Sequence, residues 1–285
     1  RAGLGATLVD KTVIIGAEAG EGVMVAGADG TIAIGYKAGT AITSGGRNTA
    51  IGFEALSTAT QLTHNVAIGY QTMKDSSATT SHRNIGIGSF VMDSIGANVA
   101  NDNVAMGYNN LTALTTGDNN TVIGSQSGVN ISTGSSNTFM GVSAGDAVTI
   151  GANNTVIGKD ALISEVDGNH SVAIGHSALN KQNLDSLGDN IISHNTAVGG
   201  YTGYHNITGL NNTWLGYEAG FGVINQNNSA NVGIGVDALK AVTTGSSNVM
   251  IGFAAGDNFD AENHNIGIGT NALGGPINGG EYNVA

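Results

Sequence analysis

Four residue patterns in this chain could carry chemistry. Gly141-Val142-Ser143-Ala144-Gly145 has the spacing of a nucleophile elbow, which exposes a serine on a strand-to-helix turn beside histidine and aspartate partners. Glu18, Glu54, Asp160, Glu218 and Asp237 could supply paired carboxyls for glycan cleavage, which needs two acids about 5 to 9.5 Å apart in a cleft. His64, His194 and His264 each directly precede an asparagine and offer imidazole nitrogens to a metal. Finally, Tyr201, Tyr204, Trp214, Tyr217 and Phe221 form the most aromatic stretch, just after the longest irregular segment, 179–194. Aromatic rings beside polar loops can stack on the apolar faces of pyranose rings, so these five are the candidate glycan-binding residues.

The elements that would have to position these groups are repeats. A pentapeptide ending in glycine recurs fifteen times, as in Asn48-Thr49-Ala50-Ile51-Gly52 and Asn120-Thr121-Val122-Ile123-Gly124. The anchor glycines run from Gly16 to Gly269, spaced 17 residues apart in nine steps, 19 in four and 24 in one. A short fixed period with insertions defines a solenoid in which each repeat is one rung stacked on the next. The expected fold is therefore all-β: a parallel β-roll or β-solenoid of about fifteen 17-residue rungs, forming one repetitive shaft over 1–285 with 179–194 as its largest inter-rung insertion.

Within the pentapeptide the alternation is that of a strand. The residue before each anchor glycine is a large aliphatic, and the residue three before it is always β-branched. These two share a strand face, which suggests a core. The residue between them is Ala or Gly in nine rungs, as if another backbone approached there. Four residues after the glycine stands either Gly or Leu/Met, a restriction expected of a second core position near a turn. Asn opens the strand in twelve rungs and should stack into a hydrogen-bonded ladder. Seventeen residues accommodate two strands of about five residues and two turns, and fifteen rungs at about 4.8 Å make a rod on the order of 70 Å long.

The repeat also explains most of the chemical patterns. The two glycines around Ser143 are an anchor glycine and a Gly/Leu position, so the elbow spacing arises from the repeat. The five acids share one position, two after the glycine, which reads as a solvated face. The histidines lie in turns without H-x-H or H-E-x-x-H spacing. No catalytic residue, cofactor or metal site is therefore expected, and the chain is not expected to be an enzyme. Aromatics also occupy the position after the glycine in six rungs, as a packed stripe between chains would require.

Composition narrows the class. The chain has 46 Gly but a single Pro, and 40% apolar residues, which excludes collagen and a disordered linker. It has no Cys, hence no disulfide framework, and no segment approaches the roughly 20 apolar residues of a membrane span. A net charge of −12 argues against nucleic acid as a partner. With two or three large apolar side chains per rung, the core of one chain is thin, and association of identical chains would complete it. Arg1 begins no signal peptide, and Asn283-Val284-Ala285 starts a repeat that lacks its Ile-Gly, so the polypeptide is expected to continue.

Ser171-Val172-Ala173-Ile174-Gly175-His176-Ser177-Ala178 resembles the head repeat of trimeric autotransporter adhesins, whose short motifs build a parallel β-roll in an intertwined trimer. The commoner form, Asn48 to Leu56, resembles repeats in long phage tail fibres. The period of 17 rather than 14, and the absence of a neck, stalk or membrane anchor, favour the fibre. The resemblance implies a homotrimer on the virion, the shaft of a phage tail fibre that presents a host receptor-binding region, with other fibre or tail proteins and a cell-surface glycan as partners and no membrane insertion. The alternative is the head of a bacterial surface adhesin, extracellular, binding host matrix or cells. A polysaccharide-cleaving tailspike would need an acid pair between 179 and 222. An ice-binding surface would need regular Thr-x-Thr ranks, which the irregular Thr, Val and Ile at the strand position do not supply.

Overall fold

The computed structural model describes residues 2–3, 9–76, 81–95, 99–188, 190–223, 227–275 and 279–285; Arg1, and Asp189 of the 179–194 segment, lie outside them. The chain is all-β and divides into two compact units, 1–137 and 138–285. Unit 1 holds β1 (Val13–Ile15), β2 (Ile32–Ile34), β3 (Thr49–Ile51), β4 (Val66–Ile68), β5 (Ile85–Ser89), β6 (Val104–Tyr108) and β7 (Thr121–Ser125). Unit 2 holds β8 (Thr138–Met140), β9 (Thr155–Ile157), β10 (Val172–Ile174), β11 (Thr196–Val198), β12 (Thr213–Leu215), β13 (Val232–Ile234), β14 (Val249–Ile251) and β15 (Ile266–Ile268). In both units consecutive strands pair parallel and in register, Val66 on Ile85 and Val172 on Thr196 for example, so the repeat period is the solenoid turn. Asn283 to Ala285 adds to β15 as a further rung would.

Among the described residues each rung has one short strand rather than the two expected. The rest of the turn keeps rung-to-rung backbone hydrogen bonds, such as Glu54 N–H to Tyr36 C=O and Met73 N–H to Val91 C=O, but it is not extended. The reason is local: the residues two and four after the glycine both have positive φ, as at Glu54 (54°) and Leu56 (49°), which bends the chain out of the β region. The anchor glycines themselves have φ between 127° and 143°. A Cβ on Gly16 would stand 2.5 Å from the carbonyl oxygen of Gly35 one rung on, so both conformation and stacking require glycine there.

The strand alternation is as expected, but its inside and outside are reversed. The small residue two before the glycine faces the lumen and is fully buried: Ala33, Ala50, Ala67, Val122, Phe139 and Trp214 all have no exposed surface. The β-branched and aliphatic residues flanking it point outward, and Ile15, Leu215 and Ile268 are 58, 47 and 62% exposed. A coil this small leaves room for only a narrow interior, and the strand must share it with the residue four after the glycine. The two positions therefore compensate in volume. Ala50 shares its rung with a buried Leu56 and Ala67 with a buried Met73, and Gly233 faces Leu239, whereas Phe139 takes Gly145, Trp214 takes Gly220 and Met250 takes Gly256. At Ala197 and Gly203, where both are small, the Trp214 ring and Leu179 fill the gap from the neighbouring rungs. Leu or Met in a left-handed conformation costs on the order of 1 kcal/mol, which burial of the side chain offsets.

The asparagine ladder forms. Asn65 N–H donates to Asn48 Oδ1 (3.0 Å), and the same link runs through Asn84, Asn103, Asn120 and Asn137 in unit 1. The Nδ2 groups of Asn48, Asn65, Asn84, Asn103 and Asn120 also cap turn carbonyls, Asn103 to Gly117 O at 2.9 Å for instance. In unit 2 the ladder is interrupted at Ser171. Asn195 there takes Ser193 Oγ (3.3 Å) and Gln182 Oε1 (2.9 Å) as partners. The core position seven after the glycine, apolar at Ile42, Ile95, Leu114, Ile131 and Val148, is polar once in unit 1, at Ser76, and in three consecutive rungs of unit 2, at Glu165, Gln182 and Asn206. The buried Glu165 carboxylate accepts the N–H groups of Val166, Gly168 and Leu184 and the Gln182 amide, so the polar interior is satisfied by hydrogen bonds.

Candidate functional site

Four of the five aromatic candidates come together on one face of unit 2. Tyr204 and Phe221 occupy the same repeat position, five after the anchor glycine, in consecutive rungs. Register therefore stacks them, with centroids 5.4 Å apart and planes at 13°. Tyr201 joins this pair from two after its glycine, 5.8 Å from Tyr204 and 6.1 Å from Tyr217. The backbone beneath is fixed by Tyr201 N–H to His176 C=O (2.8 Å) and His205 N–H to Phe221 C=O (2.9 Å). Trp214 does not belong to the cluster. It points into the lumen, fully buried, with its Nε1 unpaired, boxed in by Gly203, Gly220 and Gly233. A stacking role for Trp214 is thus corrected: its ring is core, on the inward face of β12.

Three further residues complete the cluster that sequence reasoning missed. His176 packs edge-on to Tyr201 (4.9 Å), His205 packs against Tyr204 (4.7 Å) and Phe221 (5.0 Å), and the Lys181 ammonium sits 5.9 Å from the Tyr204 centroid. Their offsets from the anchor glycines, one for His176 and six for Lys181 and His205, were the available signal. Burial, and then the nearby Lys181 charge, lowers the His205 pKa from its ordinary value, so this ring stays neutral to lower pH than a free imidazole. The Tyr217 phenol is raised by its hydrogen bond to Glu218. The result is an aromatic patch with an ammonium, two imidazoles and phenol hydroxyls around it, which can offer ring faces together with hydrogen-bond donors and acceptors.

The other chemical patterns resolve differently. Ser143 lies in the turn after β8 with φ of 53°, and among the described residues no α-helix follows it. Gly145 is glycine because a Cβ there would overlap the Phe139 ring. Each of the five acids sits against a lysine: Glu18 on Lys37 (3.6 Å), Glu54 on Lys74 (3.4 Å), Asp160 on Lys159 (3.3 Å), and both Glu218 (2.6 Å) and Asp237 (3.0 Å) on Lys240. Glu218 and Asp237 stand on consecutive rungs. The Lys240 hydrogen bond lowers the Glu218 pKa, the opposite of what a general acid for glycoside cleavage needs. Glu54 is lowered as well, first by the Gln71 amide. Among the described residues no group of three or more His, Asp or Glu could hold a metal, and no helix is long and apolar enough to cross a membrane. No known family model and no curated protein matches this chain. The fold itself defines a parallel β-solenoid.

Proposed function

We propose that the chain is a self-associating structural shaft, a homotrimeric fibre segment of the phage tail-fibre kind. Such a shaft would project a host receptor-binding region from a virion in company with other fibre or tail proteins. The observation that carries this reading is the outward apolar stripe. In unit 1 it runs from Val13 and Ile15 to Met106, and in unit 2 from Met140 to Leu215 and Ile268; seven of these side chains are 38 to 62% exposed and most of the others are half-buried. A stripe two residues wide that repeats with every rung is matched by a surface of the same period, which another copy of this chain supplies.

The test is sedimentation of the purified chain beside a variant carrying Ile51→Asp, Ile68→Asp and Ile157→Asp. The parent should sediment as an oligomer of three and the variant as a folded monomer. A monomeric parent with intact β-structure would refute the assembly.

A second reading, a lateral glycan-binding surface as in an adhesin head on a bacterial cell, is favoured by the Tyr201, Tyr204, Tyr217 and Phe221 cluster. Its check is binding of the parent and of Tyr204→Ala to a glycan array at equal oligomeric state. Loss confined to the variant supports a lateral site, and unchanged binding removes it.

A further inference from the structure

The residue before each ladder position stands in the left-handed conformation in rung after rung, so its side chain leaves every turn in the same direction. Rungs repeat at about 4.8 Å, and what each histidine in this column meets depends on its neighbours. His64 receives the Arg47 guanidinium on Nε2 at 3.3 Å, and Arg83 follows it in the column, so cations surround it. His264 stacks flat on Tyr282, 5.0 Å away at 6°. His194 meets another imidazole. The rings of His170 and His194 lie 5.8 Å apart at 53°, and among the described residues they are the one pair of histidines in ring contact. Both are exposed, with φ of 58° and 48°, and the column continues on either side with the neutral Asn153 and Asn211.

From this juxtaposition we infer that His170 and His194 bind a divalent transition-metal ion, one nitrogen from each ring. Imidazole nitrogens hold zinc at about 2.0 to 2.1 Å, and two rings on one tetrahedral ion have centroids about 5 Å apart, within reach of the observed pair by side-chain rotation. Imidazole ligands select zinc, nickel or copper over calcium or magnesium. No third His, Asp or Glu completes the set among the described residues, so water fills the remaining positions. The backbone below is rigid: Asn169 N–H donates to Ile191 C=O (2.9 Å), Ser193 N–H to Asn169 C=O (2.9 Å) and His170 N–H to Ala152 C=O (3.1 Å). The separation of 24 positions between the two histidines resembles no metal motif. The chain stays in the coil to Leu184, turns outward at Asp185–Leu187 and is back in register by Ser193, and that return sets His194 over His170. A bound ion closes the base of this segment where Ser171 interrupts the asparagine ladder.

The test is calorimetric titration of the full chain with nickel or zinc chloride, beside His170→Asn, His194→Asn, His64→Asn and His264→Asn. Asparagine already occupies this column at Asn119, Asn153 and Asn211 with φ of 60°, 60° and 61°, so the variants fit the fold. The parent should bind one ion per chain. Loss of either His170 or His194 should weaken binding on the order of a hundredfold, because the second ligand acts intramolecularly, while His64→Asn and His264→Asn leave it unchanged. The thermal midpoint should rise with metal in the parent and stay fixed in the first two variants. Absence of saturable binding in the parent, or equal loss across all four variants, overturns the inference.

Discussion

The two units draw different surfaces from one repeat. In unit 1 the aromatic side chains form a single column: Tyr36, Phe53, Tyr70, Phe90 and Tyr108 pack ring on ring at 5.1 to 6.1 Å. The asparagine ladder of this unit is unbroken from Asn48 to Asn137. In unit 2 the ladder is interrupted at Ser171, three core positions turn polar, and the rings spread over several repeat positions to form a patch with His176, His205 and Lys181. A regular column occupies its own ring faces and hydrogen bonds, leaving little for a ligand. An irregular rung breaks that self-sufficiency. Candidate sites therefore gather around 170–221, where the repeat departs from its pattern.

The largest expected effect tests whether the lumen rule holds where the units differ. Gly220→Leu should cost more than about 3 kcal/mol in unit 2, because the new side chain overlaps Trp214. Adding Trp214→Ala to it recreates the pairing of Ala50 with Leu56 in unit 1 and should recover part of the thermal midpoint, the gap at Ala197 and Gly203 then losing the ring that fills it. A double variant no more stable than the single one would sink the rule.

Next, Glu165→Ile places in unit 2 the residue that Ile131 supplies in unit 1. Despite its apolar gain it should destabilise by about 3 kcal/mol in denaturant unfolding, since the N–H groups of Gly168 and Leu184 and the Gln182 amide lose their acceptor. A neutral result would mean that the polar interior can be replaced. In the unbroken ladder, Asn103→Ala should cost about 2 kcal/mol by orphaning the Asn120 N–H and the Gly117 carbonyl. Ser171→Asn in the broken ladder should gain nothing, because Gln182 and Ser193 already hydrogen-bond to Ser171.

The smallest effect is on pH and appears in both units. Burial is the main cause that lowers His82 in unit 1 and His205 in unit 2 below the ordinary value of 6.5. The unfolded chain then binds more protons than the folded one as pH falls through about 6.5, so stability should drop on acidification from pH 7 to 5. His82→Asn and His205→Asn together should flatten that slope in thermal melts; an unaltered slope would assign it to other groups.

Much of the fold was legible because its signals are periodic. The restriction at the residue four after the glycine and the small residue two before it were both visible. That they face one another was not, since neither alternation nor spacing says which strand face turns inward. The same gap placed Trp214 among the exposed rings when it lines the lumen. His176, His205 and Lys181 carry no motif, and the contact of His170 with His194 spans 24 residues, so only the register of the rungs brings them together.

By itself, the sequence determined the parallel all-β solenoid, its period, the register of its strands and the asparagine ladder, because each follows from residue types recurring at short fixed intervals. Only the tertiary structure decided which side of the strand became the interior, how lumen volumes are shared, and which rings meet across rungs. Those depend on how tightly the coil closes and where an insertion returns to it, and no local pattern encodes either.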